Sequence, residues 1–242
     1  MEKEKDFKIS LIIPAYNEEK YIGLCLDSVL KNSNGKIFEI IVVDNNSTDK
    51  TIEIVKRYKE IKIIKEEKKG AIRARQKGFL ESKGDILAFI DADTKMLPNW
   101  TQQIIDEFKK DKNLVCLSGP YVYYDISTWK SFLVKFFWII SIPVYWIMGY
   151  MAIFGNLVIK KEILEKMNGF DTNIDFFGDD TNTARRAKAF GKVKFKLNFK
   201  MQTSGRRLIH SGILKTTIIY VYYFFSESIK HKIINKKYKD IR

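Results

Sequence analysis

Short apolar runs that alternate with amphipathic segments constrain the fold of this chain more than any other feature. The apolar runs lie within residues 8–14, 38–49, 61–65 and 85–91, and the second of them leads into a polar turn. The segments between them have helical patterns at 18–31, 49–58 and 71–83. Strands that alternate with helices predict an α/β fold. We expect a mostly parallel central sheet flanked by helices.

Polar side chains follow the predicted strands. Pro14 is expected to stop the first strand, and Asn17 follows soon after it. Asp44 and Asp91 end the second and fourth strands. Ligands of such sheets bind beyond the carboxyl ends of the strands, so these residues mark a candidate site.

The fourth strand ends in Asp91-Ala92-Asp93. Residues i and i+2 of an extended chain point to the same side, so both carboxylates face one point if strand geometry persists to Asp93. Two such carboxylates repel each other unless a cation or a shared proton intervenes. Hard divalent cations such as Mg²⁺ bind carboxylate and phosphate oxygens, so the pattern predicts a metal–diphosphate site. The alternative is an ordinary Asp-rich turn.

The net charge of +14 favours anionic partners. Nucleotides, phosphates, nucleic acid and anionic lipid all fit, and a solvated lysine-rich surface is the alternative. We find no nucleic-acid recognition motif and expect no nucleic-acid partner. Cys25 and Cys116 lie far apart, as expected for core residues in a reducing compartment. The charged start, residues 1–8, does not resemble a secretory signal.

Four patches occur in a fixed order along the chain. They read SLIIPAYNEE (10–19), IIVVDNNSTD (40–49), FIDADT (89–94) and GFDTNIDFFGDDTNTARRAKAFGKV (169–193). Together they resemble the family 2 glycosyltransferases. The resemblance implies the GT-A fold, whose Rossmann-like, mostly parallel central sheet binds a nucleotide. The resemblance covers roughly residues 8–200.

This resemblance implies where a nucleotide sugar binds. It assigns the donor to the ends of the first, second and fourth strands: Pro14, Ala15, Tyr16, Asn17, Glu18, Asp44, Asn46, Asp91, Ala92 and Asp93. Asp44 matches the acid that reads the base. The stretch GAIRARQKG (70–78) resembles a family motif that brings Arg75 to the nucleotide or its diphosphate, although Gln76 replaces the usual Asn.

The resemblance also implies the catalytic groups. Asp91 and Asp93 match the motif that holds Mn²⁺ or Mg²⁺. Asp179-Asp180 match a Glu-Asp pair whose second acid is the general base of an inverting transfer, and Asn182 stands where a third acid is common. The alternative for the pair is a helix start, where acids complement the helix dipole.

Three residues farther along extend this candidate site. Arg206 and Arg207 have the planar guanidinium groups that suit donor phosphates. His210 is a candidate third metal ligand, as a late histidine is in some relatives. A lone histidine is more often structural or solvent-exposed.

The apolar segment 136–159 contains no charged residue and is long enough to span a bilayer. A span here would separate Asp91 and Asp93 from Asp179 and Asp180, so the site could not assemble. We therefore expect 129–150 to be partly core and partly an interfacial helix in the membrane plane, with an entirely buried core helix as the alternative.

The C-terminal part is aromatic and then basic. We divide the chain into a catalytic domain, 1–205, and an appendage, 206–242. The amphipathic helix at 213–229 and the basic tail at 230–242 are candidates for an anchor on an anionic membrane surface. The alternative is a helix packed on the domain and a solvated tail. We expect a cytoplasmic protein, peripheral on the inner face of the cell membrane.

These expectations favour a metal-dependent glycosyltransferase. The donor would be a UDP- or GDP-linked sugar, and the acceptor a saccharide or a lipid-linked molecule. The processive-synthase pattern Q-x-x-R-W is missing, which favours addition of one sugar. A sugar nucleotidyltransferase is a second hypothesis, although PAYNEE replaces the Gly-rich loop that its chemistry needs. A membrane-surface scaffold without catalysis is a third, but it predicts damaged acids, and all four survive.

Overall fold

The computed structural model describes residues 7–174 and 177–230, so the predicted basic tail lies almost entirely outside the described residues. The strands are β1 Ile9–Ala15, β2 Glu39–Asp44, β3 Ile61–Lys65, β4 Ile86–Phe89, β5 Thr94–Lys95, β6 Leu114–Ser118, β7 Tyr121–Tyr123, β8 Leu157–Lys160, β9 Lys192–Phe195 and β10 Met201–Thr203. The α-helices are α1 Ile22–Asn32, α2 Thr51–Val55, α3 Ala71–Glu81, α4 Trp100–Lys110, α5 Thr128–Met148, α6 Lys161–Lys166, α7 Asp179–Lys188, α8 Arg206–Ser211 and α9 Ile213–Phe225. A 3₁₀ turn, Phe154–Asn156, precedes β8, and a π-helical turn, Ser226–Lys230, follows α9.

Seven strands form one sheet in the order β3-β2-β1-β4-β8-β6-β9. The first four of these are parallel, as is the β6–β9 pair, and only β8 runs antiparallel to its neighbours β4 and β6. A small second sheet has the order β5-β10-β7. The predicted α/β class, with a mostly parallel sheet flanked by helices, is confirmed.

The sheet is buried on both faces. Alternate residues of β1 enter two separate core clusters, with Leu11 in one and Ile12 in the other. Helices α1 and α4 supply the first cluster, with Leu26 and Phe108, and α7 contributes Ala184 to the second. Strands covered on both faces read as continuous apolar runs, which is why the sequence pattern was clear.

The prediction that Pro14 stops the first strand is wrong. Strand β1 continues to Ala15, and Pro14 pairs with Val43 of β2. The pairing of β1 with β4 ends at Ile12, so Pro14 has a strand neighbour on one side only. A proline fits such an edge-like position because its missing N–H breaks no ladder bond there.

Candidate active site

A cavity of ≈ 860 Å³ opens at the carboxyl ends of β1 and β4. Its polar wall includes Tyr16, Glu18, Lys69, Arg75, Asp91, Asp93, Tyr121, Asp179, Asp180, Arg206 and Arg207. Its apolar wall includes Leu133, Phe137, Trp138, Val144, Val221 and Phe224. The cavity thus joins the predicted metal acids, the predicted base and two apolar helices, α5 and α9.

Asp91 follows β4 and faces two partners. Its carboxylate accepts hydrogen bonds from Arg75 Nη2 at 2.8 Å and from the Tyr121 hydroxyl at 3.0 Å. Strand geometry does not persist to Asp93, because β4 ends at Phe89 and residues 92–93 form a turn. The condition for the extended alternation of the two acids is therefore not met, although both carboxylates line the cavity.

Asp93 is largely shielded from solvent, with its side chain 11% exposed, and lies against an arginine from the C-terminal part of the chain. Arg206 Nη2 lies 3.0 Å from its carboxylate, and the Thr203 hydroxyl donates to it at 3.3 Å. Burial raises the pKa of Asp93 to about 7, helped by the nearby negative charge of Asp91 and opposed by Arg206. Burial therefore leaves this carboxylate short of stabilising positive charge.

Arg206 also grips Glu18 at the start of the first-strand loop. Its two terminal nitrogens donate to the two carboxylate oxygens of Glu18 at 2.9 and 2.6 Å. The Arg206 guanidinium, which we expected to bind donor phosphates, thus pairs with the carboxylates of Glu18 and Asp93. Arg207 donates to the Tyr220 hydroxyl of α9. The phosphate-binding role of both arginines stays a prediction.

The predicted catalytic pair begins α7. Gly178 precedes it with φ 83°, a left-handed conformation that suits glycine at this tight turn. Arg75 Nη1 lies 3.5 Å from the Asp179 carboxylate, so one buried guanidinium bridges Asp91 and Asp179. Acids that are far apart in sequence therefore converge on one cavity.

Both carboxyls of the pair titrate above their usual range. Burial raises the pKa of Asp179, with the charge of Asp180 adding to it and Arg75 opposing it. Burial also raises the pKa of Asp180, opposed by a hydrogen bond from the Thr181 N–H at 2.7 Å. A carboxylate with a raised pKa is a stronger base than an ordinary one, which suits proton abstraction.

The predicted nucleotide residues divide into two groups. Pro14, Ala15, Tyr16, Glu18 and Ala92 line the cavity. Asn17, Asp44 and Asn46 bond to neighbouring loops instead: Asn17 Oδ1 accepts from Thr48 N, Asp44 Oδ1 accepts from Ser47 N, and Asn46 Nδ2 donates to Glu67 O. Their binding roles stay predictions.

Three residues that were not among the predicted site residues also shape the site. Tyr121 holds Asp91, as described above. Gly155 lies so close that an added Cβ would be 2.4 Å from Asp91 Oδ2, so no larger residue fits there without a shift. Asn156 is fully buried, and its amide donates to Gly119 O and Phe199 O. The sequence did mark Gly155 and Asn156, because the stretch 155–164 resembles a Gly-Asn segment of the family's catalytic domain.

His210 is exposed on α8. Within residues 7–174 and 177–230, no three His, Cys, Asp or Glu side chains cluster in a way that could hold a metal. The role of His210 as a third metal ligand stays a prediction.

Helix α5 is not a buried core helix, so that alternative is wrong. Trp129, Phe132, Trp146 and Ile147 are all more than 60% exposed, and of its residues only Ser141 is buried. Among the described residues, α5 is the one helix long and apolar enough to cross a membrane by length and composition. Hydrogen bonds nevertheless connect both ends of α5 to the same domain. Asp125 before it accepts a hydrogen bond from Ser204, and Met148 at its end accepts one from Lys188.

Helix α9 packs against the domain along one side. Tyr223 is buried and stacks on Phe177, just before α7, with ring centroids 4.9 Å apart. Beyond it, Glu227 is 1% exposed and accepts hydrogen bonds from Asn182 and Arg185 of α7. The outer side stays exposed, with Leu214, Ile218 and Tyr222 spaced as on one helix face.

Comparisons with known proteins agree with this architecture. The chain is similar to glycosyltransferase AglE of Haloferax volcanii, with 39% identity over 101 residues (39% of this chain, 33% of AglE). It is also similar to poly(ribitol-phosphate) beta-N-acetylglucosaminyltransferase TarS of Staphylococcus aureus, with 32% identity over 121 residues (46% of this chain, 21% of TarS). The matched stretches thus span a third or less of these relatives.

Solved structures share the fold at low sequence identity. Mannosyltransferase PcManGT from Pyrobaculum calidifontis, in complex with GDP-Man and Mn²⁺, superposes with a TM-score of 0.72 at 19% identity, covering 93% of this chain and 65% of that one. S. aureus TarS 1-349 gives 0.64 at 19% identity, covering 93% and 76%.

These structures have the GT-A fold that the resemblance implied. The model of glycosyl transferase family 2 matches residues 10–211, which include both pairs of site acids. The chain therefore belongs to glycosyl transferase family 2.

Proposed function

We propose that this chain is an inverting, metal-dependent glycosyltransferase that moves one sugar from a nucleoside diphosphate to an acceptor hydroxyl. The observation that carries the proposal is the Arg75 bridge. The Arg75 guanidinium lies 2.8 Å from Asp91 and 3.5 Å from Asp179. The predicted metal-binding acid and the carboxylate next to the predicted general base therefore face one cavity. Glycosyl transfer needs this arrangement, because the attacked carbon lies between the leaving diphosphate and the acceptor.

The residues present fit a divalent cation, Mn²⁺ or Mg²⁺. Asp91 and Asp93 supply the oxygen donors that hard cations prefer, and the pKa of Asp93 marks a carboxylate that lacks stabilising positive charge. Two carboxylates suffice, because Mg²⁺ usually completes its coordination with substrate phosphates and water. When bound, the cation would stabilise the negative charge of the leaving diphosphate.

Asp180 is the proposed general base. It takes the proton of the acceptor hydroxyl while that oxygen bonds to the anomeric carbon. The bond from this carbon to the diphosphate oxygen breaks, and its electron pair leaves with the diphosphate. Attack opposite the leaving group inverts the anomeric centre in one step. Asp179 accepts a hydrogen bond from the Asp180 N–H at 3.1 Å and pairs with Arg75, so it positions the base.

The donor is a UDP- or GDP-linked sugar. The PcManGT structure contains GDP-Man, and another solved structure of TarS contains UDP-GlcNAc. Proteins of this fold therefore bind guanosine- and uridine-linked donors. Arg75 and Arg206 supply positive charge beside the acids, which suits the donor phosphates. The acceptor is a saccharide or a lipid-linked molecule.

The proposed location is the inner face of the cytoplasmic membrane, with the protein bound peripherally. The exposed apolar faces of α5 and α9 support this, because contiguous exposed apolar patches mark interaction surfaces. Attachment of both ends of α5 to the same domain supports a helix in the membrane plane rather than across it.

A transfer assay separates this proposal from the two other hypotheses. The chain is incubated with UDP- and GDP-sugars and an acceptor, with Mn²⁺, with Mg²⁺, or with a chelator. We expect metal-dependent release of nucleoside diphosphate and a product of inverted configuration by NMR. Exchange of pyrophosphate into the donor would indicate a nucleotidyltransferase instead. Donor binding without release of nucleoside diphosphate from any donor would indicate a scaffold.

A further inference from the structure

We propose that the cleft between α5 and α9 binds the apolar chain of a lipid-linked acceptor, with the phosphate of the lipid beside Arg207 and Thr216. The acceptor cleft is defined by Leu133, Phe137 and Val144 of α5 and by Val221 and Phe224 of α9. The inference rests on the proposed function and names the substrate class of the same site.

The cleft exists because the two helices are anchored on different parts of the domain. On α5, Tyr145 donates to Val193 O of β9 at 3.2 Å, and Trp138 packs on Phe195 with ring centroids 5.7 Å apart. On α9, Tyr223 stacks on Phe177 near α7. Beside these anchoring contacts, the apolar residues that define the cleft line the cavity.

A nucleotide sugar does not account for this half of the cavity. The donor is charged at its diphosphate and carries hydroxyls on its sugars, so its partners are the polar wall with Asp91, Asp93 and Arg75. The apolar wall continues into the same cavity. An occupant that meets the polar wall at one end and this wall along its length must carry an apolar chain.

A buried hydroxyl on α9, and an arginine that bonds to Tyr220 one turn farther along this helix, supply polar groups to the cleft. Thr216 is 4% exposed and lines the cavity, and its hydroxyl has no hydrogen-bond partner among the described residues. Buried polar groups of this kind are normally satisfied, so a ligand atom is the expected partner. Arg207 lines the same cavity, and α9 begins at Ile213, where the helix dipole favours an anion. A phosphate matches all three features.

The cleft reaches the surface where a lipid would enter. Ile140 lines the cavity and is 55% exposed, and Val221 is 37% exposed. The outer faces of the same helices expose Trp146 and Leu214, among other apolar residues. A chain delivered from a membrane leaflet would therefore pass between two apolar helices on its way to the base.

Binding of defined probes to the full chain tests the inference. The probes are dodecyl phosphate, kept below its critical micelle concentration, dodecanol, kept below its solubility limit, butyl phosphate and inorganic phosphate. We expect dodecyl phosphate to bind at least about tenfold more tightly than each of the others, because it alone combines a buried chain with an anion. Equal binding of dodecanol would overturn the phosphate part, and equal binding of butyl phosphate would overturn the cleft.

Paired variants locate the site on the two helices. Val144→Asn and Val221→Asn change the cleft, whereas Ile147→Asn and Leu214→Asn change exposed outer positions of the same helices that do not line it. We expect dodecyl phosphate to bind about tenfold more weakly to Val144→Asn and to Val221→Asn, and as tightly as wild type to the two outer variants. Arg207→Gln should remove the preference for dodecyl phosphate over dodecanol. Equal effects at inner and outer positions would overturn the inference.

Donor binding and transfer keep this inference separate from the proposed function. Transfer to a soluble saccharide by a chain that does not bind dodecyl phosphate would overturn the lipid cleft alone. Dodecyl phosphate binding by a chain that neither binds nor uses any nucleotide sugar would leave the cleft in place and refute the transferase. Circular dichroism of every variant checks that it is folded.

Discussion

At the scale of single residues, the site depends on partly or fully buried carboxylates whose charge the arginines compensate only in part. Arg75 forms ion pairs with Asp91 and Asp179, and Arg206 forms ion pairs with Asp93 and Glu18. Removing water from carboxylates raises their pKa, and nearby cations lower it again. The balance leaves negative charge available for a cation and a base available for a proton.

Asp180→Asn should abolish most of the transfer activity while sparing donor binding. The amide keeps the shape of the side chain but cannot accept the acceptor proton. General base catalysis contributes roughly 10²–10⁴-fold, so we expect a fall of that order in kcat. Asp106→Asn, on α4 outside the cavity lining, is the matched control. An Asp180→Asn enzyme with wild-type turnover would remove this residue from the mechanism.

The pH dependence of turnover should reflect the raised pKa of the Asp179–Asp180 pair. A base works only when ionised, so activity is present above the raised pKa and is lost as the pH falls through it. The acid limb of kcat against pH should therefore have its midpoint above ~3.9, the value for an ordinary aspartate. A midpoint at or below that value, with the fold intact by circular dichroism, would contradict the assignment.

Arg75→Gln should cost both stability and activity. Removing one partner of a buried ion pair leaves an uncompensated charge, which typically costs about 3–5 kcal/mol of unfolding free energy. We expect a loss near the lower end, because Asp91 is 36% exposed. Urea unfolding measures it, with Arg73→Gln on the same helix as the control. A loss equal to that of the control would show that the bridge does not form.

The sequence predicted the identity of these residues better than their contacts. Asp91, Asp93, Asp179 and Asp180 stand in recognisable patches, and all four line the cavity. The Arg75 bridge, by contrast, joins residues 104 positions apart, and no local pattern encodes such a pair. The turn at residues 92–93 also ends the strand geometry that we expected to place Asp91 and Asp93 on the same side of the chain.

At the scale of secondary-structure elements, burial on two faces made the strands predictable. The run 61–65 coincides with β3, and 85–91 contains β4. Helix α5 was harder, because apolar composition alone does not distinguish a core helix from an exposed one. The difference lies in its packing, since only one side of α5 meets β9 and the cavity.

Exposed apolar residues of α5 should govern membrane binding. Trp146→Glu puts a charge on its outer face, where the side chain is 73% exposed. We expect weaker sedimentation with anionic liposomes and an unchanged melting temperature. Leu80→Glu is the control, because Leu80 is 64% exposed on α3, away from this surface. Equal liposome binding by wild type and Trp146→Glu would remove α5 from the membrane contact.

At the scale of the whole molecule, the predicted appendage contributes to the site. Arg206 pairs with Glu18 and Asp93, and Glu227 accepts hydrogen bonds from the helix that carries the base. Cutting the chain after Gly212 would thus remove contacts of α7 together with the exposed face of α9. Point variants therefore separate anchoring from catalysis where a truncation does not.

The central claim is that acids from distant parts of the chain surround one donor and its cation. Anomalous diffraction at the manganese edge, from crystals grown with Mn²⁺ and a nucleoside diphosphate, tests it most directly. We predict a peak coordinated by Asp91 or Asp93 and by diphosphate oxygens, in the cavity that Asp180 also lines. A nucleoside diphosphate bound outside this cavity, or a peak on unrelated side chains, would contradict the account.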